Sequence, residues 1–366
     1  MYQFQYDSTP KLMKGNEALA EAALRAGMQG YFGYPITPQS EVLEYLTEHA
    51  PKRKNVVVLQ AESEVASINM IYGAAGAGAR VMTSSSSPGI SLMQEGISYI
   101  ASAELPCLLV NVQRGGPGLG TIQPSQADYF QATKGGGHGD YHLFVLAPSS
   151  VQEMAEHVFL GFHIAEKYRM PSLVLADGAL GQMLEKVLLP KDGSLPYAEK
   201  SWATTGKTKD RERNIITSLH IDPNKMEMIN LQLQDKYRKL KQEIRFEEIN
   251  TKDADIILVA YGLTARICQK AMDLAKEKGI QVGVVRPITL YPFPYEILST
   301  LAEKASAFLT VEMNAGQMVE DVRLAINGKR PVFFKGRMGG IIPNPEEILL
   351  EIETIAEKQQ LKNIYA

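Results

Sequence analysis

Residues 56–64 read Val56-Val57-Val58-Leu59-Gln60-Ala61-Glu62-Ser63-Glu64, a β-branched apolar run that ends in a polar corner and feeds a helical stretch from Glu64 to Ala77. Strand, corner and helix in that order make one unit of a parallel sheet. The same unit recurs on either side. Strands are predicted at Arg80 to Thr83, Cys107 to Val112, His142 to Leu146 and Ser172 to Ala176, and helices at Glu17 to Arg25, Glu41 to Glu48, Ile90 to Ala103 and Val151 to Lys167, the last opened by Ser149-Ser150. Residues 1–190 therefore read as an open α/β domain. The rhythm breaks over residues 191–250, first in the polar segment Gly206 to Arg213 and then in an amphipathic stretch from Lys225 to Ile244. That segment reads as a linker and one long helix, whose alternating charges mark a solvated face or a subunit contact. Alternation resumes with strands at Ile256 to Ala260, Gln281 to Val285, Phe308 to Val311 and Val332 to Phe334. Helices near Ala265 to Lys276, Tyr295 to Ala302, Met318 to Ile326 and Pro345 to Ala356 separate them. Residues 251–366 thus form a second, smaller doubly wound α/β domain.

A chain of 366 residues, 45% of them hydrophobic, has material for more than one core, which agrees with that division. Its 38 basic and 41 acidic side chains are spread evenly, so charge points neither to nucleic acid nor to a membrane surface, and a small-molecule partner is expected. The two cysteines, Cys107 and Cys268, lie in separate apolar neighbourhoods outside any Cys-x-x-Cys or Cys/His spacing, so they read as buried packing residues and no metal site is expected on this chain. The N-terminus has no basic, apolar and small-residue leader, and no run approaches the ~20 apolar residues of a spanning helix. A cytoplasmic location is expected.

In open parallel sheets the ligand crevice lies beyond the carboxyl ends of the strands, so chemistry is sought in the loops that follow them. In Gly33-Tyr34-Pro35-Ile36-Thr37-Pro38 two prolines fix the backbone around Thr37. The loop either presents a hydroxyl rigidly or is a turn into the next helix with Ser40 as its cap. After Leu59, the acids Glu62 and Glu64 stand at a helix start, where carboxylates are common because they complement its positive end. Glu64 is singled out because the following helix carries Gly73-Ala74-Ala75-Gly76-Ala77-Gly78, which admits close approach. That run is not a Gly-x-Gly-x-x-Gly fingerprint, which argues against a nicotinamide site. Arg114, at the end of an apolar strand and followed by Gly115-Gly116-Pro117-Gly118-Leu119-Gly120, is placed to hold a carboxylate with little obstruction. Ser84 to Ser87, before Pro88-Gly89, face a ligand or form a capped turn; the residues leave both open.

In this order and spacing the loops resemble the alpha subunits of the 2-oxo acid:ferredoxin oxidoreductases, most closely the 3-methyl-2-oxobutanoate (2-oxoisovalerate) branch. The resemblance rests on Gly33 to Pro38, on Gln60 to Glu64, and on Arg114-Gly115-Gly116-Pro117 continuing into Thr121-Ile122-Gln123-Pro124-Ser125-Gln126. It implies a pyrimidine-binding domain of the thiamine diphosphate enzymes followed by a domain like the transketolase C-terminal one. It further implies that Glu64 bonds N1′ of the cofactor's aminopyrimidine, that Tyr34, Pro35, Ile36 and Ser86 line the cofactor beside it, and that Thr37 and Arg114 hold the 2-oxo acid. Relatives acting on 2-oxoglutarate carry Ser-Thr where this sequence has Gly118 and Leu119, so the resemblance implies that Leu119 meets an apolar substrate tail.

The Gly-Asp-Gly motif and later Asn that anchor the diphosphate and Mg²⁺ are missing: Gly139-Asp140-Tyr141 and Asp177-Gly178-Ala179 match two residues each. So is a four-cysteine set for an iron–sulfur cluster. The resemblance assigns the diphosphate and Mg²⁺ site to a beta subunit and the clusters to a small ferredoxin-like subunit, with the cofactor shared across an interface. It implies oxidative decarboxylation of a 2-oxo acid with coenzyme A as acyl acceptor. Other readings are a 2-oxoglutarate:ferredoxin oxidoreductase alpha subunit, a subunit of a lipoamide-linked 2-oxo acid dehydrogenase, and a non-catalytic scaffold. Arg286 to Pro292 and Glu312 to Gln317 also match family segments and read equally as domain-docking loops.

Overall fold

The computed structural model describes residues 3–207 and 209–365, with residues 359–365 as backbone only. In chain order the elements are β1 (Lys11–Lys14), α1 (Gly15–Arg25), β2 (Gly30–Gly33), α2 (Ser40–His49), β3 (Val57–Gln60), α3 (Glu64–Gly76), β4 (Val81–Ser85), α4 (Ser87–Ser102), β5 (Cys107–Gln113), α5 (Tyr129–Thr133), β6 (Phe144–Leu146), α6 (Val151–Tyr168), β7 (Pro171–Asp177), α7 (Gly178–Gln182) and β8 (Leu184–Val187). There follow α8 (Pro223–Lys239), β9 (Phe246–Ile249), β10 (Ile256–Val259), α9 (Gly262–Glu277), β11 (Val282–Pro287), β12 (Thr289–Tyr291), α10 (Tyr295–Leu301), β13 (Ala307–Glu312), α11 (Met318–Ile326), β14 (Val332–Gly336) and α12 (Pro345–Tyr365).

The apolar runs Cys107–Gln113 and Pro171–Asp177 are buried at every position, as strands covered on both faces must be. They lie centrally in a seven-stranded sheet of order β12-β6-β7-β5-β4-β2-β3, parallel throughout except for β12. A five-stranded sheet, β14-β13-β10-β11-β9, is parallel except for β9, and β1 pairs with β8 in a separate ribbon. One core cluster lies on the α1 and α6 side of the first sheet, and another under α9 and α12 on the second. A third runs unbroken from α3 and α4 through Tyr129 and Tyr261, whose rings are 5.9 Å apart, to α10 and α11. The two sheets therefore share apolar packing at their junction.

Two short strands cross the divisions drawn from sequence. β9, within residues 191–250, pairs with β11, and β12, from the second half, extends the first sheet beside β6. The long helix of the linker segment is α8, ending in a 3₁₀ turn over Leu240–Glu243, and it buries only Leu233 and Tyr237. Earlier in the same segment, the coil around Leu195–Pro196 is strapped to the first domain by Arg80, a fully buried guanidinium that pairs with Glu166 (2.7 Å) and donates to the Pro196 carbonyl (2.8 Å). Cys107 and Cys268 are both buried. Among the described residues no helix is long and apolar enough to cross a membrane.

Candidate functional site

The adjacent strands β3, β2, β4 and β5 run parallel, so the loops after Gln60, Gly33, Ser85 and Gln113 emerge side by side at one edge. Each is locked locally. Ser63 caps α3 by accepting the Ala66 amide (3.2 Å), which puts Glu64 in the first turn, where it is 6% exposed. Helix α4 lies close beside it: a Cβ on Gly96 would overlap Ile68, and one on Gly89 would overlap both Ser85 Oγ and Glu64 Oε1. The Glu64 carboxyl is thus tucked against the first turn of α4. Around it is an excess of hydroxyls. Thr83, Ser85 and Ser86 are fully buried, as is Ser67 one turn along α3, and none of their hydroxyls has a hydrogen-bond partner among the described residues. Buried polar groups are seldom left so.

The loop from Tyr34 to Pro38 is held from below. Asn16 Nδ2 (2.8 Å) and Gln182 Nε2 (3.2 Å) donate to the Pro38 carbonyl. Gln39 reaches the Tyr34 carbonyl (3.4 Å) and accepts from Ser84 Oγ (2.6 Å), which lies 2.7 Å from the Tyr31 hydroxyl. Burial pushes the Tyr31 phenol up to about 12, so it remains a donor. Thr37 itself is exposed, and the Thr37–Pro38 and Gly116–Pro117 peptides are cis.

Arg114 joins this loop to the next. Its Nη1 donates to the Thr37 carbonyl and its Nη2 to the Leu119 carbonyl, both at 3.0 Å, while its buried Nε has no partner among the described residues. The structure therefore brings Thr37 and Arg114 together, and it brings Glu64 beside the Ser85-Ser86 turn of the same edge. Leu119 is different: its backbone is part of the clamp, but its side chain is 82% exposed at the loop tip.

The edge of the second sheet faces the first. Gln126 accepts the Met313 amide (3.0 Å) through Oε1 and donates to the Tyr261 carbonyl (2.8 Å), while Asn314 donates to the Gln126 carbonyl (2.8 Å). Glu312 holds the facing loop in shape by accepting the amides of Met318 (2.8 Å) and Val319 (3.0 Å). Between the two edges lies a cleft of about 710 Å³, bordered by Arg114, Gly116, Ser91, Asp128, Met313 and Met338. Glu312 to Gln317 is thus a docking segment, as is Arg286, whose guanidinium forks onto Glu153 of α6 (2.8 and 2.9 Å). Ser87, one of the Ser84 to Ser87 hydroxyls left open in the sequence, supports Arg114 from behind together with Asn111 and Asp128. The sequence reading missed Asn111 and Asp128, whose only sequence signal is nearness to Arg114 and Gln126.

An open parallel sheet with its crevice at the carboxyl edge, joined to a smaller doubly wound domain across that crevice, defines a cofactor-binding α/β subunit. Residues 21–251 match the family described as pyruvate flavodoxin/ferredoxin oxidoreductase, thiamine diphosphate-binding, and residues 254–348 match pyruvate:ferredoxin oxidoreductase core domain II. The ketoisovalerate oxidoreductase subunit VorB of Methanothermobacter marburgensis is 49% identical over 94% of this chain and 98% of its own. The 2-oxoglutarate synthase subunit KorA of Methanocaldococcus jannaschii is 37% identical over 92% of this chain and 98% of its own. Among solved structures, the 2-oxoglutarate:ferredoxin oxidoreductase of Magnetococcus marinus, with 2-oxoglutarate, coenzyme A and succinyl-CoA bound, is 28% identical with a TM-score of 0.84. The match covers 94% of this chain and 65% of that one. The chain belongs to the 2-oxo acid:ferredoxin oxidoreductase family.

Proposed function

We propose that this chain is the subunit of a coenzyme A-acylating 2-oxo acid:ferredoxin oxidoreductase that holds the aminopyrimidine end of thiamine diphosphate and captures the 2-oxo acid, in the cytoplasm. The observation that carries the reading is the Glu64 carboxyl, buried against Gly89 beside the unpartnered Ser85 hydroxyl, on the same sheet edge as the Thr37–Arg114 clamp. Those groups fit the cofactor: a flat heteroaromatic ring with nitrogen donors and acceptors would satisfy Ser85 and Ser86, and the missing Cβ of Gly89 lets the Glu64 carboxyl and Ser85 Oγ sit against α4. Thiamine diphosphate, when bound, supplies the nucleophilic carbon and the electron sink for decarboxylation. Glu64 holds a proton against the N1′ nitrogen, a task for a positioned general acid–base group. Tyr34, Pro35, Ile36 and Ser86 shape the walls beside it. Arg114, through the second N–H of each terminal nitrogen, pairs the substrate carboxylate, and the Thr37 hydroxyl contacts its carboxyl or keto oxygen.

The substrate we favour is 3-methyl-2-oxobutanoate. Identity is higher to the ketoisovalerate relative than to the 2-oxoglutarate one, and Gly118 and Leu119 offer a charged substrate tail nothing to pair with. Leu119 would meet the apolar tail once a partner covers its loop. The Mg²⁺ and diphosphate anchor then belongs to a beta subunit, and the iron–sulfur clusters to a small ferredoxin-like one.

Co-production with those subunits, followed by coenzyme A-dependent viologen reduction, tests the proposal. A kcat/KM for 3-methyl-2-oxobutanoate at least about tenfold above that for 2-oxoglutarate is expected, a ~1.4 kcal/mol discrimination. The reverse order would assign the chain to the 2-oxoglutarate branch. Glu64→Gln should lower turnover by about 10²–10⁴-fold with the complex still assembled; wild-type turnover would remove Glu64 from the chemistry.

A further inference from the structure

Arg114 leads into residues 115–120, of which four are glycine, so its forward chain gives it little restraint. The Gly115 amide is held by the Gln123 carbonyl (2.9 Å), and Arg114 forms a bridge with Pro124. The other restraint comes from α4, where the Arg114 amide donates to Ser87 Oγ (3.0 Å). The donors around Ser87 can be assigned one by one. Its amide donates to Asn111 Oδ1 (3.1 Å), which turns Asn111 Nδ2 toward Asp128 Oδ2, to which it donates (2.8 Å). Ser87 Oγ already accepts from Arg114, and its single proton goes to Asp128 Oδ2 (2.6 Å) in preference to the Arg114 carbonyl (3.2 Å). Two donors therefore converge on one oxygen of Asp128. The Asp128 amide is fixed in turn by Gln113 Oε1 (3.0 Å) at the end of β5. Burial pushes the Asp128 carboxyl up, and the bonds from Ser87 and Asn111 pull it down.

We infer that Asp128 is a positioning residue for capture of the 2-oxo acid: by orienting the Ser87 hydroxyl it sets the Arg114 backbone, and with it the direction of the guanidinium. This rests on the reading that Arg114 pairs the substrate carboxylate. What the network requires of residue 128 is an oxygen that accepts twice, not a negative charge. An asparagine can supply that oxygen, with its amide nitrogen turned the other way.

Steady-state kinetics of the assembled complex test the inference. Asp128→Ala should raise KM for the 2-oxo acid by about tenfold or more, as the Ser87 hydroxyl loses the acceptor that orients it, while kcat stays within about threefold. Asp128→Asn should bring KM back to within about threefold of wild type. Ser87→Ala should match Asp128→Ala, and the double variant should be no worse than either single one, because both act through the same bond. An unchanged KM in Asp128→Ala, or an Asp128→Asn enzyme as impaired as it, would overturn the inference. Should Asp128→Ala fail to assemble, Ser87→Ala with wild-type KM overturns it equally. Arg114→Lys separates the two layers: an unchanged KM there removes the clamp itself, whereas a raised KM beside a flat Asp128→Ala removes only the role of Asp128.

Discussion

Arg114 uses one N–H of each terminal nitrogen on a backbone carbonyl, of Thr37 and of Leu119, and keeps the other N–H of each. A lysine ammonium is a single point of charge on a longer-swinging stem and cannot bridge two carbonyls while meeting a carboxylate. Arg114→Lys should therefore raise KM for the 2-oxo acid by about 10–100-fold, the worth of one charge-assisted bond of ~1.5–3 kcal/mol, and lower kcat much less. Steady-state viologen reduction across substrate concentrations reads that split, and equal losses in kcat and kcat/KM would instead place Arg114 in the chemical step. The places of Thr37 and Arg114 in strand-end loops marked by proline and glycine, and of Glu64 in the first helical turn after a strand, were legible in the sequence; the roles proposed for them came from the family resemblance. Asp128 was not legible. Its meaning comes from Ser87 and Asn111, which only the pairing of β4 with β5 brings beside it, and no local pattern records that.

Among the elements, the long buried strands and the amphipathic helices were readable from periodicity, since burial on one stripe or two faces leaves a repeat in the chain. β9 and β12 were not: β9 is Phe246-Glu247-Glu248-Ile249, with two acids and no fully buried position, and β12 is a three-residue piece between Pro287 and Pro292. Their pairing is set by Arg286, whose Nε donates to Glu247 (2.8 Å), and by the Ala147 amide, which donates to Ile288 (2.8 Å). At the joint between the sheets one side chain makes two buried bonds. Gln126 Nε2 donates to the Tyr261 carbonyl and its Oε1 accepts the Met313 amide. The Tyr261 carbonyl keeps the Thr264 hydroxyl (2.7 Å) when Gln126 is lost, so Gln126→Ala strands the Met313 amide, at ~1–3 kcal/mol. A downward shift of the urea midpoint corresponding to about 1–3 kcal/mol is expected, together with faster proteolysis within residues 313–317. An unshifted midpoint would mean that the loop docks by apolar packing alone.

For the whole molecule the second joint, where α6 meets β11, carries a pH dependence. Glu153 takes the Arg286 fork, and His157 lies one turn further along α6, 5% exposed with its Nδ1 unpartnered. Burial favours the neutral imidazole and pushes His157 down to about 4; the Glu153 carboxylate pulls it up, and Arg286 and Arg245 push it down further. Burial alone would raise Glu153, but the charges of His157 and Arg286 outweigh it and hold Glu153 at about 2. The signs follow from linkage. A histidine whose folded value lies below its ordinary 6.5 contributes stability above pH 6.5 that is lost as pH falls toward 4, because the fold must accept a charge it excludes. Glu153 contributes above pH 4.5 and loses that only on the way to 2, so between pH 6.5 and 4.5 the histidine acts first. Asp177 opposes both: fully buried, it is raised to about 6, so its contribution grows as pH falls from there toward 3.8. Replacing the imidazole leaves Asp177 in place, while Glu153 loses one of the charges that hold it down but keeps the Arg286 fork. His157→Gln should shrink the loss of unfolding free energy between pH 7 and pH 4.5 by about 2–3 kcal/mol, at 1.36 kcal/mol per pKa unit. Urea unfolding of wild type and variant at the two pH values reads the difference directly. An identical loss in both proteins would show that His157 accepts its proton in the folded state without cost.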